Sequence, residues 1–190
     1  ALLSGMLAYS YVSSAVSSSG GIGATIHAAH NPVLVTVTRA DGRVEHYDGW
    51  NVITNDGLNA TRNFWMLGGN ATSTTNMGNF TTISLSQDGT TPVAPDTSCL
   101  GTIYNNTAGL GNVSTGNKAI QGSGGVGTGV GNYSLWYQWT ATATVSNVQK
   151  ACLWNSTATA SAVMAAESTF TSVTLNNGDT INITWYIDVS

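Results

Sequence analysis

The sharpest pattern of apolar and polar positions lies near the C-terminal end, where Ile181, Ile183, Trp185, Ile187 and Val189 alternate with Thr180, Asn182, Thr184, Tyr186 and Asp188. A period of two is that of a strand with one buried face. Asn176-Asn177-Gly178-Asp179 ahead of it reads as a hairpin turn out of a preceding strand at 162–175. Residues 132–145 predict the longest strand: Tyr133, Leu135, Tyr137, Trp139, Ala141, Ala143 and Val145 alternate with Ser134, Gln138, Thr140, Thr142 and Thr144, and Trp136 is the one large exception. A further strand follows at 148–154. Upstream, Pro32 precedes the β-branched run Val33-Leu34-Val35-Thr36-Val37-Thr38, Asp41-Gly42 turns the chain, and Arg43-Val44-Glu45-His46-Tyr47 returns, which predicts a β-hairpin.

Between these blocks the pattern is mixed. Residues 50–54 predict a short strand, and Asn55 or Asp56 is placed to cap a helix at 58–67 that Gly68-Gly69 stops. Asn63, Phe64, Trp65 and Leu67 suit that single helix to packing on the sheet. Strands are predicted again at 80–86 and 98–104, with a turn-rich stretch at 87–96 that holds Asp88-Gly89, Pro92 and Pro95. The glycine-rich residues 105–131 predict a long surface loop. Short strands with Thr-rich outer faces and frequent turns give an all-β fold, a β-sandwich of immunoglobulin-like or jelly-roll-like type with one short helix.

One apolar stretch stands apart. Residues 1–16 (ALLSGMLAYSYVSSAV) are tethered through Ser17-Ser18-Ser19-Gly20-Gly21, a linker that cannot pack. As a strand, Ala1, Leu3, Gly5, Leu7, Tyr9 and Tyr11 share one mostly apolar face, while Ser4, Ser10 and Ser14 fall on the other and Leu2, Met6 and Val12 spoil the alternation. Extended, this stretch reaches on the order of 50 Å, enough to cross a neighbouring domain. Leu3, Met6, Leu7, Ser10 and Tyr11 also fall at helical spacing, so a packed helix is the other reading. The organisation expected is a tail and linker at 1–21 and one domain at 22–190. A sandwich with an apolar strand on a flexible linker is the arrangement donor-strand exchange needs, in which the tail of one subunit completes the sheet of the next in a head-to-tail filament.

Charge narrows the partners. Only 7% of the 190 residues are charged and the net charge is −4, so Arg39, Arg43, Arg62, Lys118 and Lys150 cannot make the basic patch that nucleic acid requires. Polarity rests instead on Asn, Thr, Ser and Gly, and covalent glycans would keep such a surface solvated. The sequon Asn-x-Ser/Thr occurs at Asn59, Asn70, Asn79, Asn105, Asn112, Asn132, Asn155 and Asn182, never with Pro in the middle. Eight sequons in a chain so poor in charge favour a secreted, N-glycosylated surface protein. The first residue, Ala1, fits a mature chain whose signal peptide has been removed, and no stretch is apolar and long enough to span a bilayer. Cys99 and Cys152 read as one disulfide in an oxidising compartment, closing a loop of roughly fifty residues and stabilising by about 4 kcal/mol; two buried thiols are the alternative.

Taken together, the apolar N-terminal strand, the sandwich pattern, the dense sequons and the scarcity of charge resemble the subunit of the archaeal thread, a glycosylated cell-surface filament joined by donor-strand complementation and similar in architecture to bacterial type I pilins. The resemblance implies residues 1–16 as donor strand, the eight sequon asparagines as glycan carriers, identical subunits as partners, an acceptor groove in each, and a role in adhesion or biofilm formation. A second likeness runs through Asn51-Val52-Ile53-Thr54-Asn55, Gln87-Asp88-Gly89-Thr90-Thr91-Pro92 and Asp179-Thr180-Ile181-Asn182-Ile183-Thr184-Trp185, which are similar to β-rich phage tail and appendage proteins. The alternatives are a type IV pilin-like subunit with a helical core, a viral coat or tail protein, and a carbohydrate-binding module.

Catalytic signatures are not found in the sequence. His27 and His30 lie three apart but without a companion carboxylate or cysteine, so no metal site is expected. Among the acids Asp41, Glu45, Asp48, Asp56, Asp88, Asp96, Glu167, Asp179 and Asp188, four (Asp41, Asp56, Asp88 and Asp179) adjoin glycine at turns and have a local role there. There is no Gly-x-Ser-x-Gly elbow, and Gly127-Thr128-Gly129-Val130-Gly131 lacks the lysine of a phosphate loop. The six tryptophans offer either a sugar-binding platform or core, and core is the commoner use; Trp139 and Trp185 lie on apolar faces as core residues should. The expectation is a non-enzymatic filament subunit without cofactor, and a covalent cross-link through Lys150 is not anticipated.

Overall fold

The computed structural model describes residues 33–66, 80, 82–99, 109–111, 123–126, 132–156 and 162–188. The donor-strand residues Ala1, Leu3, Gly5, Leu7, Tyr9 and Tyr11 lie outside these, as do His27, His30 and the sequons at Asn70, Asn79, Asn105 and Asn112.

Among the described residues, nine antiparallel strands and one helix make a two-layered β-sandwich. The first layer holds β1 (Val33–Thr38), β9 (Thr180–Asp188), β6 (Asn132–Ala141) and two short strands on β6, namely β4 (Leu110–Gly111) and β5 (Ser123–Val126). The second holds β3 (Thr82–Ser86), β7 (Val145–Trp154) and β8 (Met164–Leu175). The strand β2 (Val44–Ile53) belongs to both: its first half pairs β1 up to Gly49 opposite Val33, and from Trp50 to Ile53 it pairs β8. Gly49 sits at the handover, where a Cβ would run into the Ser168 hydroxyl and press on Val33. The two segments predicted as separate strands, 43–47 and 50–54, are therefore one strand that crosses between layers.

The alternation read from sequence orients the core. Val33, Val35, Val37, Leu135, Trp139, Ile181, Ile183 and Trp185 from the first layer meet Ile83, Leu85, Ala151, Leu153, Ala166 and Phe170 from the second in one buried cluster. Trp139 and Trp185 are core residues, as their pattern predicts, and Trp136 on the opposite face is 43% exposed.

Three local expectations need correction. The strand predicted over 132–145 ends at Ala141, and 142–144 carries the chain into β7 of the other layer. The turn at 176–179 has the expected chemistry, with Gly178 at φ +91° and the Asp179 N–H donating to the Asn176 carbonyl, but β8 and β9 lie in different layers and form no hairpin. These two crossings are joined: the Ala141 N–H donates to the Asp179 carbonyl, and the Gly178 N–H to that of Ala141. Period and turn residues specify a reversal of direction, and they are silent on which layer receives the next strand. Lastly, the loop expected at 105–131 contributes β4 and β5, and Leu110 is fully buried. In the predicted strand 98–104, Ser98 and Cys99 lie in no strand and the remainder falls outside the described residues.

The helix α1 (Asn55–Met66) starts earlier than predicted because Thr54, not Asn55 or Asp56, is its cap. The Thr54 hydroxyl accepts from the Gly57 N–H at 3.0 Å and donates to the Met164 carbonyl at 2.5 Å, so one buried side chain ties the first turn to β8. Gly57 allows this approach, since a Cβ there would overlap the Ala165 carbonyl. Helix propensity alone favours Gly57→Ala by about 1 kcal/mol. We expect the opposite sign, a loss of about 2 kcal/mol or more from overpacking against rigid backbone, measured as a lower midpoint in denaturant unfolding.

Candidate functional site: a buried lysine and its carboxylates

The second sheet is covered on both faces. Its inner face supplies core residues, and its outer face is a row of mostly polar side chains: Ser84 lies opposite Cys152, Ser86 opposite Lys150, and Cys152 opposite Glu167. All five of these residues are buried. What covers them is the segment 87–99, which leaves β3 at Ser86 and returns over the sheet to the Cys99–Cys152 disulfide. Cys99, Cys152, Trp154 and Met164 form a second apolar cluster under that cover. The Trp154 indole N–H donates to the Ser84 hydroxyl at 2.8 Å, so these two polar groups satisfy each other under the cover.

At its centre is Lys150, whose side chain is fully buried. The ammonium donates to Asp88 Oδ2 at 2.6 Å and to Glu167 Oε2 at 3.0 Å, with the Thr90 hydroxyl at 3.4 Å. A charge taken this far from water requires partners, and here they come from two directions, Glu167 from β8 and Asp88 from the cover. Asp88 is held by its own turn. Its Oδ1 accepts from the Thr90 N–H at 3.1 Å, its Oδ2 from the Thr90 hydroxyl at 2.6 Å, and its N–H donates to the Ser86 hydroxyl at 3.0 Å. The sequence assigned Asp88 this turn role, and the structure adds the lysine. Further along the cover, Asp96 accepts from the Val93 N–H at 3.1 Å and lies beside Glu167.

Each group is shifted by these neighbours. Burial pushes the Glu167 carboxyl up to about 7, the neighbouring Asp96 adds to this, and Lys150 opposes it. Asp96 goes down, chiefly because it accepts a hydrogen bond from Glu167. Glu167 Oε1 meets no donor in its buried position, and a proton carried by Glu167 and shared with Asp96 answers that need. Burial pulls Lys150 down, but its bonds to Asp88 and Glu167 outweigh this and the net shift is upward. Burial likewise raises Asp88, and its bonds from Lys150 and Thr90 reverse the sign. The outcome is one ammonium, one paired carboxylate and a carboxyl–carboxylate couple in a water-poor layer.

Sequence reasoning missed this group. The available signal was that Lys150 and Glu167 are single opposite charges in two otherwise uncharged strands. The paired cysteines resolve as a disulfide with Cα atoms 6.0 Å apart. Among the sequons, Asn59 is exposed on α1, Asn132 opens β6, Asn182 is half-buried on the outer face of the first sheet, and Asn155 Oδ1 accepts from the Val163 N–H at 2.8 Å. A second ionic group, Arg39 with Glu45 at 2.6 Å and Asp179 at 3.0 Å, ties the 39–43 turn to the 176–179 turn and has a structural role. Among the described residues no helix is long and apolar enough to cross a membrane.

The shifts set a pH profile. Asp96 and Asp179 are lowered from 3.8, so they stabilise the fold above that value and lose this as pH falls through their folded values. Glu167 is raised from 4.5 to about 7, so the fold binds its proton more tightly than the unfolded chain does, and stability falls as pH rises across that interval. Stability should therefore peak between about pH 4 and 5 and decline towards 7 by up to roughly 3 kcal/mol, at about 1.4 kcal/mol per pKa unit, measured as falling thermal midpoints. Glu167→Gln should flatten the decline.

No family model, curated protein or solved structure matches the chain, so what it does must be argued from its own residues.

Proposed function

We propose that the chain is a non-enzymatic structural subunit of an extracellular, N-glycosylated filament, in which residues 1–16 of one copy complete the sheet of the next. The observation that carries this reading is the border strand β3. It pairs only β7 among the described strands, yet every one of its five residues is buried. Ordinary border strands are shielded by charge, proline or a bulge, and the sequence of β3, Thr-Ile-Ser-Leu-Ser, has none of these. A strand with apolar side chains on one face and small hydroxyls on the other fits beside it, and residues 1–16 carry Leu3, Leu7, Tyr9 and Tyr11 against Ser4, Ser10 and Ser14. The disulfide supports an oxidising compartment, and exposed Asn59 supports a glycan there.

One other reading has an observation in its favour. Trp136, 43% exposed, and Tyr186, 44% exposed, lie on adjacent strands of one outer face, an aromatic platform of the kind that stacks on sugars.

Deleting residues 1–16 should leave a folded monomer that adds to no filament, and a peptide of that sequence should bind it and restore a cooperative rise in thermal midpoint. Normal filaments from the truncated chain, seen by electron microscopy, would refute strand donation. A shift of Trp136 emission on titration with oligosaccharides would favour the binding-module reading instead.

A further inference from the structure

The cover over the second sheet is held by a disulfide at one end and by Lys150 and Asp88 at the other, and the chemistry at that second end goes further than an ion pair. A lysine nitrogen lies 2.6 Å from a carboxylate oxygen, and a further carboxyl lies 3.0 Å away on the other side. Lys150 and Glu167 are fully buried, and the Asp88 side chain keeps 11% of its exposure, an outlet at the rim of an otherwise closed layer. From this geometry we infer that Lys150 and Asp88 condense to an intramolecular isopeptide bond, with Glu167 carrying the proton.

The atoms balance without any other reactant. The Lys150 ammonium passes one proton to Asp88 Oδ2 across the 2.6 Å hydrogen bond between them, which leaves an amine and a carboxylic acid. The Nζ lone pair adds to Asp88 Cγ and a C–N bond forms. The second nitrogen proton moves to Glu167 Oε2, 3.0 Å from Nζ, as the Oε1 proton is drawn to Asp96; the Oε2 proton then passes to the departing oxygen, the Cγ–O bond breaks, water leaves, and Asp96 returns its proton to Glu167. One ammonium and one carboxylate become one amide and one water.

Each neighbour suits its part. Oδ1 is held by the Thr90 N–H, so it remains as the amide oxygen. Oδ2 faces both Lys150 Nζ and the Thr90 hydroxyl, so it is the one that leaves, with a donor already on it. Glu167 touches Nζ but holds a proton more firmly than an ordinary carboxyl, which suits a group that must both take and give one. In bulk water the separated ions win over the amide. In a closed layer the balance reverses, because condensation removes two buried charges and releases a water. The bond would close the loop between residues 88 and 150, nearly the same loop the disulfide closes between 99 and 152.

The test is made first on the unaltered full chain, so it does not depend on any variant folding. The protein is reduced, alkylated and digested with chymotrypsin, which yields short pieces around Asp88 and Lys150 that carry no sequon. The expected product is a branched peptide joining the two, lighter than their sum by one water, with tryptic cleavage after Lys150 lost. Separate, unmodified Asp88 and Lys150 peptides from folded protein would overturn the inference, and a branch from Lys150 to Glu167 would overturn its assignment. Lys150→Arg keeps the cation but forms no amide, so it should regain the water mass. Its midpoint should fall sharply on reduction of the disulfide, where the unaltered chain, still closed by the amide, changes little. Glu167→Gln should leave the branch unformed in protein whose disulfide is intact; full branching in that variant would remove Glu167 from its role.

Discussion

A lysine side chain with no access to water sits on the outer face of the second sheet, and much of that side of the molecule is arranged to make its charge tolerable while the chain folds and before any bond to Asp88 forms. An unpaired charge in such a place costs several kcal/mol, more than a domain of this size can spare. Glu167 alone does not neutralise it, since burial holds that carboxyl near neutrality in its protonation. Asp88 supplies the second partner, and it does so only while the segment 87–99 lies across the sheet. That segment in turn depends on the disulfide, the Asp88 and Asp96 turns, and the bond from the Asn55 N–H to the Ala94 carbonyl that ties it to α1. Cover and charge thus require each other.

This mutual dependence explains a second sheet buried on both faces in an antiparallel fold, where one face is commonly left to solvent. The inner face is apolar and belongs to the main core. The outer face carries Ser84, Ser86, Lys150, Cys152 and Glu167, residues that read as a solvent face, and it is dry because the chain folds back over it. The first sheet keeps the usual arrangement. Its outer side shows Thr36, Asn182 and Gln138 in one row across three strands, with Trp136 and Tyr186 nearby. The division leaves one sheet with a solvent-facing side and the other locked by the disulfide and by ionic links beside the border strand β3, an arrangement that would suit the filament role proposed above.

The sequence by itself determined the fold class, the inward faces of β6 and β9, the site of the first hairpin and the core positions of Trp139 and Trp185, because each is set by side chains two apart or by a turn of a few residues. It also contained the tail, the sequons and the two cysteines as facts of composition. Tertiary structure decided which layer each strand joins. The crossings at 142–144 and 176–179 and the handover within β2 at Gly49 use the same residues a simple hairpin or a straight strand would use. It decided that Thr54 caps the helix, since that hydroxyl is fixed by β8 as much as by the first turn. Above all it decided the meeting of Asp88, Lys150 and Glu167. These residues are 62 and 17 positions apart along the chain, and an ion pair across such distances has no local period to announce it.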